Sequence, residues 1–239
     1  MIIKTPAIVL HSLKFSESDL IVKLYTKSNG LKSYLLRGVL KSKKGKIKAS
    51  LFQPLSIIEV EAMHKDKGTL ERLKEAKISY AYKSLQVDFV KNAIVFFLAE
   101  MLKNSIKEEE KNEGLYHYLE SSLKWLDMQD DVANFHILFL IKLTQYLGFY
   151  PDTSDTVGDY FDLQEGNFVS QVNNNLCFEG DVVGHLKVFL GTNFDALAET
   201  KLTKKIRADL LNFLLMYYEL HLHEFKKPKS LSVLNEIFK

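Results

Sequence analysis

The chain has 239 residues, of which 46% are hydrophobic and 26% charged, so it holds enough apolar material for a folded core and wholesale disorder is excluded. Its single cysteine, Cys177, excludes an intramolecular disulfide and a zinc site built from several cysteines, and it fits a reducing compartment. Because there is no signal-peptide pattern and no apolar run long enough to cross a bilayer, we expect a cytoplasmic protein without a membrane partner.

Residues 1–80 have the pattern of a β-domain. Apolar and β-branched segments predict four strands, and a fifth segment fits either a strand or a helix; the five lie at residues 5–13, 19–26, 31–40, 51–62 and 69–79. Gly30 completes a turn signal, Gly38 predicts a bulge or bend, and Pro54 restricts the start of its strand to an edge or bulge. Five short strands separated by turns predict a small barrel or a sandwich, and a five-stranded barrel that binds oligonucleotides is the OB-fold pattern.

From about residue 81 the apolar residues recur at helical spacing. Helices are predicted at residues 82–106, 114–128, 132–147, 182–190, 202–223 and 231–238. The third is almost wholly apolar and is expected to form the buried centre, and Gly148 with Pro151 ends it. The polar residues 152–180 predict an irregular, hairpin-like insertion. The predicted fold class is therefore α+β in two parts, an OB-like barrel at residues 1–80 and a mainly helical domain at residues 81–239.

The charges are divided unevenly between these two parts. Residues 1–80 contain 16 Lys and Arg against 7 Asp and Glu, a net charge of +9, whereas residues 81–239 contain 16 against 23, a net charge of −7. A basic first part favours a polyanion as its partner, and an acidic second part disfavours one. The alternative is ordinary scatter of charge in a lysine-rich proteome.

The most distinct local signal is the basic run at residues 41–48 (KSKKGKIK), which lies between two predicted strands and is expected to be an exposed loop. Lysines attached to a barrel can follow a phosphate backbone without reading bases. The candidate DNA-binding residues are Lys32, Arg37, Lys41, Lys43, Lys44, Lys46 and Lys48. A solvated surface loop is the alternative interpretation.

Four aromatic residues interleave with these cations, namely Phe15, Tyr25, Tyr34 and Phe52. On an exposed barrel face such rings can stack on bases, and Tyr25 and Tyr34 are the candidates for this role. The alternative is that the rings fill the core of the barrel, since large aromatic side chains are usually buried.

No pattern of catalytic residues is present. The sequence has neither a Walker-type phosphate loop nor a G-x-S-x-G elbow. His221 and His223 are two residues apart on a predicted helix and would point to different faces, and four aspartates lack the spacing of a calcium loop; these are Asp152, Asp155, Asp159 and Asp162. We therefore expect no catalytic residue, no metal site, no cofactor and no enzymatic activity.

Taken in order, short motifs along nearly the whole chain resemble the RecO family of bacterial DNA repair proteins. The first part matches at residues 7–10 (AIVL), 16–22 (SESDLIV), 24–26 (LYT), Gly30, Arg37-Gly38, the basic run 41–48 and Gln53-Pro54. The second part matches at residues 147–151 (LGFYP), Arg207, Leu210-Leu211, the helix through His221 and residues 229–231 (KSL). Many members of the family carry four zinc-binding cysteines directly after the segment that matches residues 147–151. Here residues 152–180 contain only Cys177, so the resemblance implies a zinc module without its zinc.

The resemblance implies a mediator of recombinational DNA repair. RecO-like proteins bind single- and double-stranded DNA, anneal complementary strands and work with a RecR-type partner. Together the two help to load the RecA recombinase onto DNA coated by single-strand-binding protein, whose acidic, apolar-ended tail RecO-like proteins also bind. Such a protein would be cytoplasmic and associated with the nucleoid. One alternative is a protein-interaction adaptor whose basic OB-like module does not act on DNA directly; another is a nucleic-acid enzyme, which would need carboxylates that residues 31–58 lack.

Overall fold

The computed structural model describes residues 2–41, 46–64, 70–107 and 109–238. The chain forms two compact units, Met1–Met128 and Gln129–Lys239. The predicted boundary after residue 80 coincides with the change from strands to helices, which lies inside the first unit. The two predicted domain ranges stay a prediction.

The first unit is built on a five-stranded antiparallel sheet. Its strands are β1 (Ile2–Lys14), β2 (Leu20–Thr26), β3 (Gly30–Leu36), β4 (Ile57–Met63) and β5 (Arg72–Tyr80), in the spatial order β3-β2-β1-β4-β5. The sheet curls so that its edges meet at a parallel bridge between Tyr34 and Glu71, where the Glu71 amide donates to the Ser33 carbonyl at 2.9 Å. This is the connectivity of a partly open OB-like barrel. The predicted fold class, an OB-like barrel followed by a mainly helical domain, is confirmed, although the sheet is not fully closed into a barrel.

Alternate residues of the strands fill the interior of the sheet, as a period of two requires. Ala7 and Val9 of β1 lie beside Val22 and Leu24 of β2, and all four are fully buried. Ile8 is also fully buried although it lies between them on β1, which contacts a helix as well as the sheet. Burial of both faces explains why this strand is a continuous apolar run rather than an alternating one.

Two of the predicted strands have different bounds in the structure. β3 ends at Leu36 rather than residue 40, because Gly38 adopts a positive φ of 68° and turns the chain. The segment predicted as a strand from residue 51 begins as a 3-10 turn at Ala49–Phe52, and β4 starts at Ile57. Pro54 cannot donate to a strand ladder, and Leu55 after it has a φ of 56°, so the strand forms beyond them.

Two helices complete the first unit, α1 (Phe89–Ser105) and α2 (Glu113–Met128). α1 begins seven residues later than predicted, because the carboxylate of Asp88 accepts a hydrogen bond from the Lys91 amide at 2.8 Å and caps the helix there. Residues 81–88 therefore form a link between β5 and α1 that ends in a turn, where the amides of Val87 and Asp88 donate to the Ser84 carbonyl at 3.0 and 2.8 Å.

The second unit packs its helices around α3 (Phe135–Leu147), whose side chains are buried from Phe135 to Ile141. Gly148, with a φ of 85°, ends α3 as predicted. The insertion forms a small sheet of β6 (Tyr160–Asp162), β7 (Asn167–Val169) and β8 (Cys177–Phe178), and the remaining helices are α4 (Asp181–Leu190), α5 (Lys204–His221) and α6 (Leu231–Ile237). The hydroxyl of Tyr218 on α5 donates to the Leu140 carbonyl of α3 at 2.7 Å. None of the helices in the described part of the chain is long and apolar enough to cross a membrane.

Candidate nucleic-acid interface

The end of β3 and the segment after it carry part of the predicted basic surface. Arg37 is exposed in the turn that follows β3, and Lys41 is exposed a few residues later. The Gly38 amide donates to Asp19 Oδ1 at 2.8 Å, which joins this turn to the turn between β1 and β2. Two hydrogen bonds are the main reason that the pKa of Asp19 lies below its usual value. The one from the Gly38 amide has the larger effect, and the one from the Ser18 hydroxyl has the smaller effect. The turn after β3, which is tied to the turn between β1 and β2, thus presents two of the candidate cations, Arg37 and Lys41.

Lys41 is paired with a carboxylate of the neighbouring turn. Its Nζ lies 3.2 Å from Glu17 Oε2, and both side chains are mostly exposed. The exposed ring of Phe15 belongs to the same turn, since Phe15 follows directly after β1. This end of the sheet therefore combines the cations Arg37 and Lys41, the carboxylates Glu17 and Asp19 and the accessible ring of Phe15.

Lys46 and Lys48 lie at the other end of the basic run. Both are exposed, and Lys46 Nζ lies 2.7 Å from Glu75 Oε1 on β5. The hydrogen bond to Glu75 raises the pKa of Lys46, and the same bond lowers the pKa of Glu75, so both groups are charged at neutral pH. Lys43 and Lys44, which were predicted to bind DNA as well, lie outside the described residues.

Lys32 is placed differently from the other candidates. It lies near the start of β3, where its side chain is only 15% exposed and its Nζ is 3.6 Å from Glu109 Oε2. Glu109 belongs to the link between α1 and α2. Lys32 and Arg37 are five positions apart in the sequence, about 16 Å along a strand, so the two mark opposite ends of β3. Of the described candidates, Arg37 and Lys41 are brought together, whereas Lys46 lies beside β5 and Lys32 beside the interhelical link.

Sequence reasoning missed a second set of cations on β1 and β5. Lys4 and Lys77 both approach Glu59 Oε1 of β4, at 3.3 and 3.0 Å, and Lys74 lies 3.7 Å from Glu61. The hydrogen bond from Lys77 is the main cause of a lowered pKa at Glu59. Because residues 69–79 fit a helix or a strand equally well, their exposed cations could not be assigned to a face. The available signal in the sequence was the alternation of Glu59 and Glu61 with apolar residues, which marks one face of β4 as the place where neighbouring cations could pair.

The tyrosines predicted to stack on bases are in the core instead. Tyr25 is 1% exposed and Tyr34 is fully buried, so neither ring offers a face to a base. The Tyr34 hydroxyl lies 2.8 Å from His64 Nε2, and the Tyr25 hydroxyl donates to the Asn112 carbonyl at 3.3 Å. The prediction failed because β2 and β3 bury aromatic side chains on both faces, and each polar end has a partner there.

The second unit has a groove of about 400 Å³ between α5 and α6. Its apolar part is formed by Leu211, Leu234 and Phe238, and exposed lysines 204 and 205 stand on its border. The guanidinium of Arg207 lies 5.3 Å from the centre of the Phe238 ring, and its Nε donates to Asn134 Oδ1 at 3.0 Å. A fixed cation beside an apolar pocket suits a ligand that ends in both a carboxylate and an apolar side chain.

The insertion is held by a side-chain network in which Asp162 is 2% exposed. One carboxylate oxygen accepts the amides of Gln164 and Glu165, at 2.8 and 3.2 Å, and the other accepts the Asn174 side-chain amide at 2.7 Å. Within the part of the chain that the structure describes, no group of three or more His, Cys, Asp or Glu side chains could hold a metal ion.

Comparison with known proteins matches almost the whole chain. The family model described as Recombination protein O N terminal matches residues 1–82, and the model described as Recombination protein O C terminal matches residues 86–231. The chain is 54% identical over 238 residues to the DNA repair protein RecO of Christiangramia forsetii and 48% identical over 238 residues to that of Flavobacterium johnsoniae. It is 40% identical over 243 residues to the RecO of Bacteroides fragilis. Each of these alignments covers 100% of both chains.

Proposed function

Because the chain belongs to the RecO family, with a role in recombinational DNA repair, we propose that it binds and anneals DNA strands through the cations around its OB-like sheet. The proposal rests mainly on four exposed cations that lie close together in the sequence directly after β3, namely Arg37, Lys41, Lys46 and Lys48. Phosphates attract such cations irrespective of base sequence, as a protein that pairs arbitrary strands requires. We assign the protein no catalytic step and place it at the nucleoid in the cytoplasm.

Annealing follows from the same electrostatics. Two strands repel each other through their phosphates, and a cationic surface that binds both lowers this repulsion while the bases search for pairing. The buried Tyr25 and Tyr34 leave phosphate contacts as the main source of affinity, so single and double strands should both bind. With a RecR-type partner, the protein would help to load RecA recombinase onto DNA coated by single-strand-binding protein.

The test replaces three described lysines. We expect Lys41→Ala/Lys46→Ala/Lys48→Ala to bind a labelled single strand more weakly. The plot of log K against log salt concentration should also become flatter by about 2, or roughly 0.7 for each phosphate that is no longer neutralised. Fluorescence anisotropy at several salt concentrations measures both quantities. A variant with the same reduction of charge in the second unit, Lys201→Ala/Lys226→Ala/Lys227→Ala, is the control. An unchanged slope in the first variant would favour the adaptor alternative, in which the basic module does not act on DNA.

The groove between α5 and α6 supports a second element of the proposal, recruitment by single-strand-binding protein. An acidic peptide with an apolar end could place its side chain on Leu234 and Phe238 and its carboxylates near Lys204 and Lys205. We expect Lys204→Ala/Lys205→Ala to weaken binding of the tail peptide about tenfold, as the removal of two charged partners would. Lys226→Ala should leave it unchanged. Titration of a fluorescent tail peptide with each full-length protein measures these affinities. Equal affinity in the wild-type chain and both variants would exclude this groove as the binding site of the peptide.

A further inference from the structure

Three of the candidate DNA-binding lysines share one feature, an ion pair with a glutamate of this chain. Lys41 pairs with Glu17, Lys46 with Glu75 and Lys32 with Glu109, at 3.2, 2.7 and 3.6 Å. The glutamates come from three separate places, the turn between β1 and β2, the middle of β5 and the link between α1 and α2. Each carboxylate occupies hydrogen-bonding capacity that a phosphate oxygen would need.

These pairs are placed so that they can be exchanged. The glutamate side chains are 87%, 55% and 67% exposed, so water can solvate each carboxylate once its lysine leaves. Exposed pairs of this kind change an equilibrium constant by less than tenfold, and they weaken further as salt screens them. A released glutamate nevertheless remains close to the lysine, where it repels a bound phosphate.

We propose that Glu17, Glu75 and Glu109 compete with DNA phosphates for Lys41, Lys46 and Lys32. The inference rests on the proposed function and adds its regulation. A single free phosphate competes poorly with one glutamate for its lysine. The glutamate is attached to the same chain, so its carboxylate stays at a high local concentration beside the lysine. A strand displaces all three at once, since its phosphates are linked. The glutamates therefore select polymeric over single phosphates and shorten the residence of each strand, which an annealing protein must release.

The experiment compares two triple variants of the full chain. We expect Glu17→Gln/Glu75→Gln/Glu109→Gln to bind a labelled oligothymidine of about 30 nucleotides roughly tenfold more tightly at low salt, with the gain shrinking as salt rises. Glu165→Gln/Glu199→Gln/Glu219→Gln adds the same charge on exposed positions of the second unit and should gain less than about twofold. Equal gains in both variants would overturn the inference, because net charge alone would then explain them.

A double-mutant cycle at the pair of Glu75 and Lys46 tests the inference a second time, independently of the triple variant. Glu75→Gln should strengthen DNA binding clearly more in the wild-type chain than in a Lys46→Gln background, since Lys46 is the lysine that hydrogen-bonds this carboxylate, whereas Lys4 and Lys74 act on it only through their charge. The same gain in both backgrounds contradicts the inference. Wild-type chain that fails to bind the oligonucleotide at low salt would instead contradict the proposed function itself.

Discussion

Asp127, the penultimate residue of α2, holds the link between β5 and α1 in place. Its carboxylate accepts hydrogen bonds from the amides of Lys83, Ser84 and Leu85, at distances between 2.8 and 3.1 Å. Lys91 reaches the same place, where its Nζ donates to the Ser84 hydroxyl at 2.7 Å. Burial alone would raise the pKa of Asp127, but the three amide hydrogen bonds outweigh it and hold the pKa below its usual value.

We expect Asp127→Asn to lower the free energy of unfolding by about 2 kcal/mol at pH 7, because a neutral amide accepts fewer and weaker hydrogen bonds from those three donors. Since the folded pKa is depressed, the stabilisation is present above the unfolded pKa of about 3.9 and is lost as the pH falls through the folded value. Urea unfolding at pH 7 and at about pH 3 measures both effects. The exposed Asp130→Asn is the control, and a deficit that persists undiminished at the acid pH would contradict the assignment.

At the scale of elements, the small sheet β6–β8 shows which contacts hold the insertion together. Its strands have two or three residues each, too short to be stable by pairing alone. The Asn174 side chain closes the loop between β7 and β8, since it donates to Asp162 and accepts from the Leu176 amide at 2.7 Å. Phe161 adds an apolar anchor, as it is fully buried and its ring centre lies 5.7 Å from that of Phe213 on α5.

We therefore expect Asn174→Ala to destabilise the insertion by about 1–2 kcal/mol, because the buried Asp162 carboxylate loses a hydrogen-bond donor. Amide hydrogen exchange should become faster at Leu163, whose amide donates to the Leu176 carbonyl at 3.0 Å, and at Leu176, whose amide donates to Asn174 itself. Asn173→Ala changes the exposed neighbouring residue and should leave exchange as it is. Equal exchange rates in the two variants would show that strand pairing alone suffices.

At the scale of the whole molecule, the uneven division of charge is the property on which the proposed annealing depends. The net charge of the chain is only +2, so overall attraction to DNA is small, whereas residues 1–80 carry +9. Binding should therefore depend on local contacts and respond steeply to salt.

We predict that strand annealing by the full chain slows as salt rises from about 50 to 200 mM, because about four phosphate contacts would cost roughly 50-fold in affinity over this range. Spontaneous annealing of bare strands changes in the opposite direction, since salt screens the repulsion between their phosphates. Mixing complementary strands that carry a fluorophore and a quencher measures both rates. Acceleration that is insensitive to salt would contradict a mechanism based on phosphate contacts.

The sequence by itself determined the first four strands of the large sheet, the six helices, the apolar centre at α3, the end of that helix at Gly148 and the family of the chain. These features depend on residue order, through apolar periodicity, turn residues and motif succession. Only the tertiary structure decided that Tyr25 and Tyr34 are buried, that the lysines lie at separate places around the sheet and that glutamates distant in sequence pair with them. Burial and ion pairing depend on which surfaces meet after folding, and the period of a strand does not state which neighbours cover its two faces.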